Sequence, residues 1–88
     1  MHNASHPGQI LCHFLDGRTV AEVAAHLGVT SAELSGILDG TTGISAVMAL
    51  RLAEAFKTEP DLWLRFQMQY DLSEAAKQKR VKVKPIAA

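Results

Sequence analysis

The sequence predicts an all-α domain of five short helices, and three observations carry that prediction. Apolar residues recur at i, i+3, i+4 and i+7 through most of the chain, which is the spacing of one face of an α-helix. Each such run is preceded by a capping residue or a proline and followed by a stop signal. Alternation with period two appears only from Arg80 to Ile86, so nothing ahead of the C-terminus reads as a sheet.

The first helix, near 7–15, opens on Pro7, whose fixed φ suits a first turn, and spaces Ile10, Leu11, Phe14 and Leu15 along one side. Asp16-Gly17 stops it. The second, 20–27, begins after Thr19, which with Glu22 has the spacing of a capping box; Val20, Val23, Ala24 and Leu27 form its stripe, and Gly28 ends it. The third, 31–38, repeats the device with Thr30 and Glu33, turns Leu34, Ile37 and Leu38 inward, and meets Gly40 as a left-handed terminator. Ser45 caps the fourth, 46–57, where Met48, Ala49, Leu52, Ala53, Ala55 and Phe56 share a broad face opposite Arg51, Glu54 and Lys57. Pro60 opens the fifth, 60–77, with Asp61 near the positive end of the helix dipole.

The fifth helix has two apolar faces. At 100° per residue, Leu62, Trp63, Phe66 and Tyr70 fall on one side and Leu64, Met68, Leu72 and Ala75 on the other. In a chain of 88 residues, a domain that buries only about 60% or a little more of its unfolded surface, such a helix needs two partners. Its own core takes the first face. A second copy of the chain takes the other, unless both are covered within one subunit.

Composition bounds the functional classes. Hydrophobic residues make up 48% and charged residues 20%, an ordinary globular balance for one domain. The single Cys12 excludes an internal disulfide, and the N-terminus lacks a signal peptide's basic start and apolar run. No apolar stretch approaches the roughly 18 residues of a membrane span. A soluble, cytoplasmic protein is expected, with no membrane partner. The zero net charge conceals an uneven layout: residues 1–76 hold all nine acids with only Arg18, Arg51, Lys57 and Arg65, a net −5. Lys77, Lys79, Arg80, Lys82 and Lys84 crowd the segment 77–88, which fits either a short edge strand or a solvated basic tail, the tail being preferred.

The motif with most content is a helix-turn-helix over residues 20–38. It requires a small residue where two helices cross, a glycine in the turn and apolar residues locking the angle. Ala24, Gly28 and the set Val23, Leu27, Val29, Leu34 and Ile37 meet these demands. Catalytic and metal chemistry find no such support. Adjacent Cys12 and His13 point apart on a helix, with no acid to complete a triad. His2 and His6 fall in an N-terminal segment expected to be loose, His26 sits at a helix end, and Trp63, Phe66 and Tyr70 have core spacing. No enzyme activity, metal site, cofactor or small-molecule substrate is expected.

The His6-Pro7-Gly8 start, the stretch from Leu27 to Phe56 and the run Pro60, Trp63-Leu64, Gln67, Tyr70-Asp71-Leu72 together resemble the HigA/VapI-type antitoxins, a branch of the phage-repressor-like (XRE) helix-turn-helix family. Gly43-Ile44-Ser45 followed by Met48-Ala49-Leu50-Arg51-Leu52-Ala53 is the most specific part, and the likeness spans about residues 6–72. It implies a five-helix, lambda-repressor-like DNA-binding domain in residues 1–76 that dimerises, masks an mRNA-cleaving toxin of the HigB/RelE kind and represses its own operon at a palindromic operator. Leu64, Met68, Leu72 and Ala75 would form the dimer seam. Thr30, Ser31, Ala32, Ser35 and Gly36 would meet the DNA on the recognition helix, with Thr41 and Thr42 near phosphates.

The chain departs from the family in one respect. Where relatives carry Arg or Lys it has Ser31, Gly36 and Thr41, and where they carry Asn it has Asp39. No Lys or Arg occurs from Thr19 to Ile44, although phosphate contact by bases dominates most protein–DNA affinity. Operator binding would then be weak and would draw on the tail bases, or on Arg18 and Arg51 if these flank the DNA. The alternative is a dimeric protein-binding module that has lost specific DNA binding.

Overall fold

The computed structural model describes residues 4–78 and 82–87. Five helices follow in order: α1 (Pro7–Leu15), α2 (Val20–Leu27), α3 (Ser31–Asp39), α4 (Ala46–Phe56) and α5 (Pro60–Lys77). The third runs one residue past its expected end. The fourth stops one residue short, because Lys57 takes a left-handed conformation at φ 56° and ends the helix there.

Local chemistry sets the helix starts. Thr19 Oγ1 accepts from the Glu22 N–H at 3.1 Å while the Glu22 carboxylate accepts from the Thr19 N–H at 3.3 Å, a complete capping box. Thr30 accepts from the Glu33 N–H at 3.0 Å and Ser45 from the Met48 N–H at 3.1 Å. At Gly28 and Gly40 the backbone turns left-handed, φ 75° and 83°, and their N–H groups satisfy the last carbonyls of α2 and α3. His6, expected from sequence to lie in a loose segment, is held in place. His6 is the N-cap of α1: its Nδ1 accepts from the Gly8 N–H at 2.9 Å, and its ring stands edge-on to Tyr70 at 4.7 Å. His2 lies outside the described residues.

The core forms where all five helices converge. Leu11 and Leu15 of α1, Val23, Ala24 and Leu27 of α2, Leu34 and Ile37 of α3, Met48, Ala49 and Leu52 of α4 and Trp63 of α5 make one cluster, closed by Ile44. Each fully buried Leu contributes about 1.5–3 kcal/mol relative to exposure. Trp63 is surrounded by Phe14, Phe56 and Phe66 at 5.1, 6.5 and 6.0 Å between ring centroids, and its indole N–H donates to Thr58 Oγ1 at 2.8 Å. Helix α1 lies so close to α3 that a Cβ at Gly8 would collide with the Ile37 carbonyl. Among the described residues no helix is long and apolar enough to cross a membrane. Residues 82–87 are exposed and carry no strand, while Lys79, Arg80 and Val81 lie outside the described residues.

Candidate nucleic-acid interface

Helix α3 buries Leu34 and Ile37 and turns its other side outward. On that side Ser31 and Ala32 are exposed and Ser35 and Gly36 are half-buried, with exposed Asp39 in line with Ala32 two turns on. Thr30 caps the start, leaving the N–H groups of Ser31 and Ala32 without partners inside the helix, as at any helix N-terminus. Such a face is short and polar, with hydroxyls, a methyl and free amides. These can donate to phosphates or base edges and touch a thymine methyl.

The loop after α3 is folded back onto it. The Thr41 and Thr42 N–H groups donate to the Gly36 carbonyl at 2.9 and 3.1 Å, and the Thr41 hydroxyl donates to the same oxygen at 3.1 Å. A Cβ at Gly36 would lie 2.9 Å from Thr42 Oγ1. Gly36 therefore makes room for the loop, and its conformational cost to the helix, about 1 kcal/mol against Ala, is offset by that packing. Gly36, Thr41 and Thr42 form one surface, continuous with Ser35. The loop is fixed from behind by Gln67 of α5, whose Oε1 accepts from the Ile44 N–H at 2.7 Å and whose amide lies where a Cβ at Gly43 would come within 3.1 Å. From sequence, Gln67 stands only within the family-like run along α5, with no role of its own. No local signal points to it, because its partner lies 23 positions away in the chain.

The two bases considered as flanking contacts are engaged elsewhere. Arg51 reaches from α4 to the end of α2, where Nη1 donates to the Leu27 carbonyl at 2.8 Å. It is a charge-assisted cap on a helix C-terminus, beside the turn at Gly28. Arg18 turns back toward the Leu15 carbonyl at 3.5 Å and lines a groove between α2 and α4 with Glu22, His26 and Phe56. No Lys or Arg side chain rises from the α3 surface, and Glu33 and Asp39 on it are exposed.

Helix α5 presents Leu64, Met68, Leu72 and Ala75 to solvent, with Met68 52% and Leu72 62% exposed. Val47 and Leu50 of α4 are exposed as well. Its charged neighbours are already paired: Arg65 lies 3.9 Å from Asp61 and Lys77 2.7 Å from Glu74. Cys12 and His13 are exposed on α1.

No protein-family model matches the chain. Among curated proteins it is similar to virulence-associated protein A' of Dichelobacter nodosus, 44% identical over 87 residues that cover 96% of this chain and 76% of that one. Among solved structures it superposes on a HigA-family addiction-module antidote protein from Coxiella burnetii with a TM-score of 0.82 and 39% identity, over 86% of each chain. It also superposes on the Pseudomonas aeruginosa antitoxin HigA, solved with the higBA promoter, with a TM-score of 0.80 and 36% identity over 83% of each chain. With five helices, a helix-turn-helix over α2 and α3 and relatives of this identity and coverage, the chain belongs to the HigA/VapI-type antitoxins of the XRE helix-turn-helix family.

Proposed function

We propose that the protein is the antitoxin of a type II toxin–antitoxin module, neutralising a HigB/RelE-like mRNA-cleaving toxin and binding its own operator as a homodimer. One observation carries the DNA half of this reading: the outward side of α3, with Thr30, Ser31, Ala32 and Ser35, is continuous with the Gly36–Thr42 loop surface, and the similar Pseudomonas antitoxin was solved with its promoter. Two such surfaces suit a palindrome when a two-fold axis relates them. The exposed Leu64, Met68, Leu72 and Ala75 supply an apolar seam for that axis. For the toxin half, the net charge of −5 over residues 1–76 suits attraction of a basic, RNA-cleaving partner.

Both halves are tested with the genomic neighbourhood. The protein is titrated against a duplex carrying a palindrome from upstream of its gene and against a scrambled duplex. It is also co-expressed with the adjacent short reading frame. Preferential binding of the palindrome and co-purification of a basic partner are expected.

A second reading is favoured by a specific observation. The recognition surface holds no base and presents Asp39, so a dimer that binds the toxin and has lost specific DNA recognition fits the same fold. Co-purification of the toxin with equal affinity for both duplexes would select it.

A further inference from the structure

We propose that His6 is a positioning residue for operator binding: its ring, held between Tyr70 of α5 and Gly40 at the end of α3, sets the recognition helix relative to the helix that carries the dimer seam. The proposal rests on the operator-binding reading above and says what holds the two recognition helices at their spacing.

The packing leaves that task to the start of the chain. Helix α3 packs on α1 and α2, and α5 packs on α4 and α1, so α1 is the main element they share. Its first turn is fitted closely to both. Pro7 and Gly8 are buried, and Gly8 has no room for a side chain against the Ile37 carbonyl of α3. On the other side the Ala4 N–H donates to Ser73 Oγ of α5 at 3.4 Å. The His6 ring lies between these contacts. Its centroid is 4.7 Å from that of Tyr70 at an interplanar angle of 73°, and its Cγ and Cδ2 are 3.8 Å from where a Cβ of Gly40 would be.

The residue type carries the second part of the case. His6 caps α1, its Nδ1 accepting from the Gly8 N–H at 2.9 Å. Asn, Asp, Ser and Thr are the usual caps, and each would satisfy that N–H with a smaller side chain. None has a ring to stand between Tyr70 and Gly40. Accepting at Nδ1 also leaves the proton of the neutral imidazole on Nε2, so one tautomer is selected. A ring fixed at one atom by the cap and along one side by Tyr70 has little freedom, and the end of α3 stands against it.

The consequence is geometric. A dimer reads a palindrome when its two recognition helices stand about 34 Å apart, one turn of the duplex. With the seam on α5 and the reading surface on α3, a tilt of α3 relative to α5 is repeated at both half-sites. Gly40 leads directly into Thr41 and Thr42, which bond the Gly36 carbonyl, so the loop surface shifts with it. Losing the ring therefore weakens discrimination of the palindrome and spares phosphate contacts, which carry no sequence information.

The test uses the full chain as wild type, His6→Asn, Tyr70→Leu, the double variant, and His13→Asn as a histidine replacement on the exposed side of α1. Each is titrated against the upstream palindrome and a scrambled duplex at a temperature where circular dichroism shows it folded. His6→Asn keeps a cap acceptor and melts close to wild type. Its preference for the palindrome falls by about tenfold, the worth of roughly one base-pair contact. Tyr70→Leu loses preference to a similar extent, and the double variant loses no more than either single one, because the two rings act as one contact. His13→Asn keeps the wild-type preference. If His6→Asn does not fold, Tyr70→Leu decides by the same ratio. A wild-type preference in the folded His6→Asn or Tyr70→Leu protein, an equal loss of affinity on both duplexes, or a double variant whose loss is the product of the two singles overturns the proposal and leaves operator binding standing. Wild-type protein with no preference for the palindrome overturns the operator reading, and the role of His6 with it.

Discussion

Replacing Gln67 with Ala removes the acceptor of the 2.7 Å hydrogen bond from the Ile44 N–H, and the cost follows from where that N–H sits. Ile44 is 4% exposed and closes the core cluster, so its amide has no ready access to water once the carboxamide is gone. A buried donor left unpaired costs about 1–3 kcal/mol, and truncating the half-buried methylenes of Gln67 adds somewhat under 1 kcal/mol. The sum, about 2–4 kcal/mol, is a large share of the 4–13 kcal/mol expected of about 90 residues. At about 4–8 °C per kcal/mol for a domain of this size, the melting temperature falls by about 8–30 °C. Gln67→Glu retains the acceptor but turns the 2.9 Å donation to Asp71 into an i, i+4 repulsion worth about half a kcal/mol, so it melts only a few degrees below wild type. The assay is thermal unfolding by circular dichroism at one fixed protein concentration, since association with a second copy would shift the midpoint. A Gln67→Ala protein melting within 2 °C of wild type, or below Gln67→Glu by no measurable margin, would refute the assignment of Gln67 as the anchor of the α3–α4 loop.

Three further outcomes follow from other contacts. Met68→Asp places a charge at the centre of the exposed α5 side; light scattering should report a folded monomer, and a persistent dimer would remove this side from the interface. Gly8→Ala drives a methyl into the Ile37 carbonyl, which forces α1 away from α3; urea unfolding should show a loss above about 3 kcal/mol, and a loss below about 1 would mean the helices are less tightly apposed. Asp39→Asn removes one negative charge from the outward side of α3. At an exposed separation of about 7 Å from a phosphate this is worth roughly 0.6 kcal/mol, so affinity for DNA should rise about threefold, and unchanged affinity would place Asp39 away from the duplex.

What could be read from sequence is what the chain decides locally. Thr19, Thr30 and Ser45 cap helices through hydrogen bonds to residues three positions on, and Gly28 and Gly40 end them, so both signals lie within one turn of the boundary they set. Even there the Thr30 and Glu33 spacing over-promised: the Thr30 hydroxyl caps the helix, and Glu33 makes no return bond. The two sides of α5 followed from periodicity because Trp63 and Met68 differ by more than a quarter turn. The contacts that shape the candidate interface escaped for the opposite reason. Arg51 to Leu27 and Gln67 to Ile44 join residues more than 20 positions apart, and no local pattern distinguishes them from ordinary surface polar residues. His6 was read as part of a loose end because histidine is an uncommon cap, and its Tyr70 contact depends on α5 returning past α1. Gly36 was read as a departure from the family, standing where relatives carry a base. The structure shows a loop occupying the space a side chain would need.

The central claim, that α3 and the loop behind it are the DNA-reading surface, is tested most directly by amide chemical shifts of labelled protein titrated with the upstream palindromic duplex. The account predicts that the largest changes fall on Thr30, Ser31, Ala32 and Ser35 and on Thr41 and Thr42, with the core amides of Leu52 and Trp63 unmoved. Changes confined to α1 or the tail, with the α3 amides still, would contradict it.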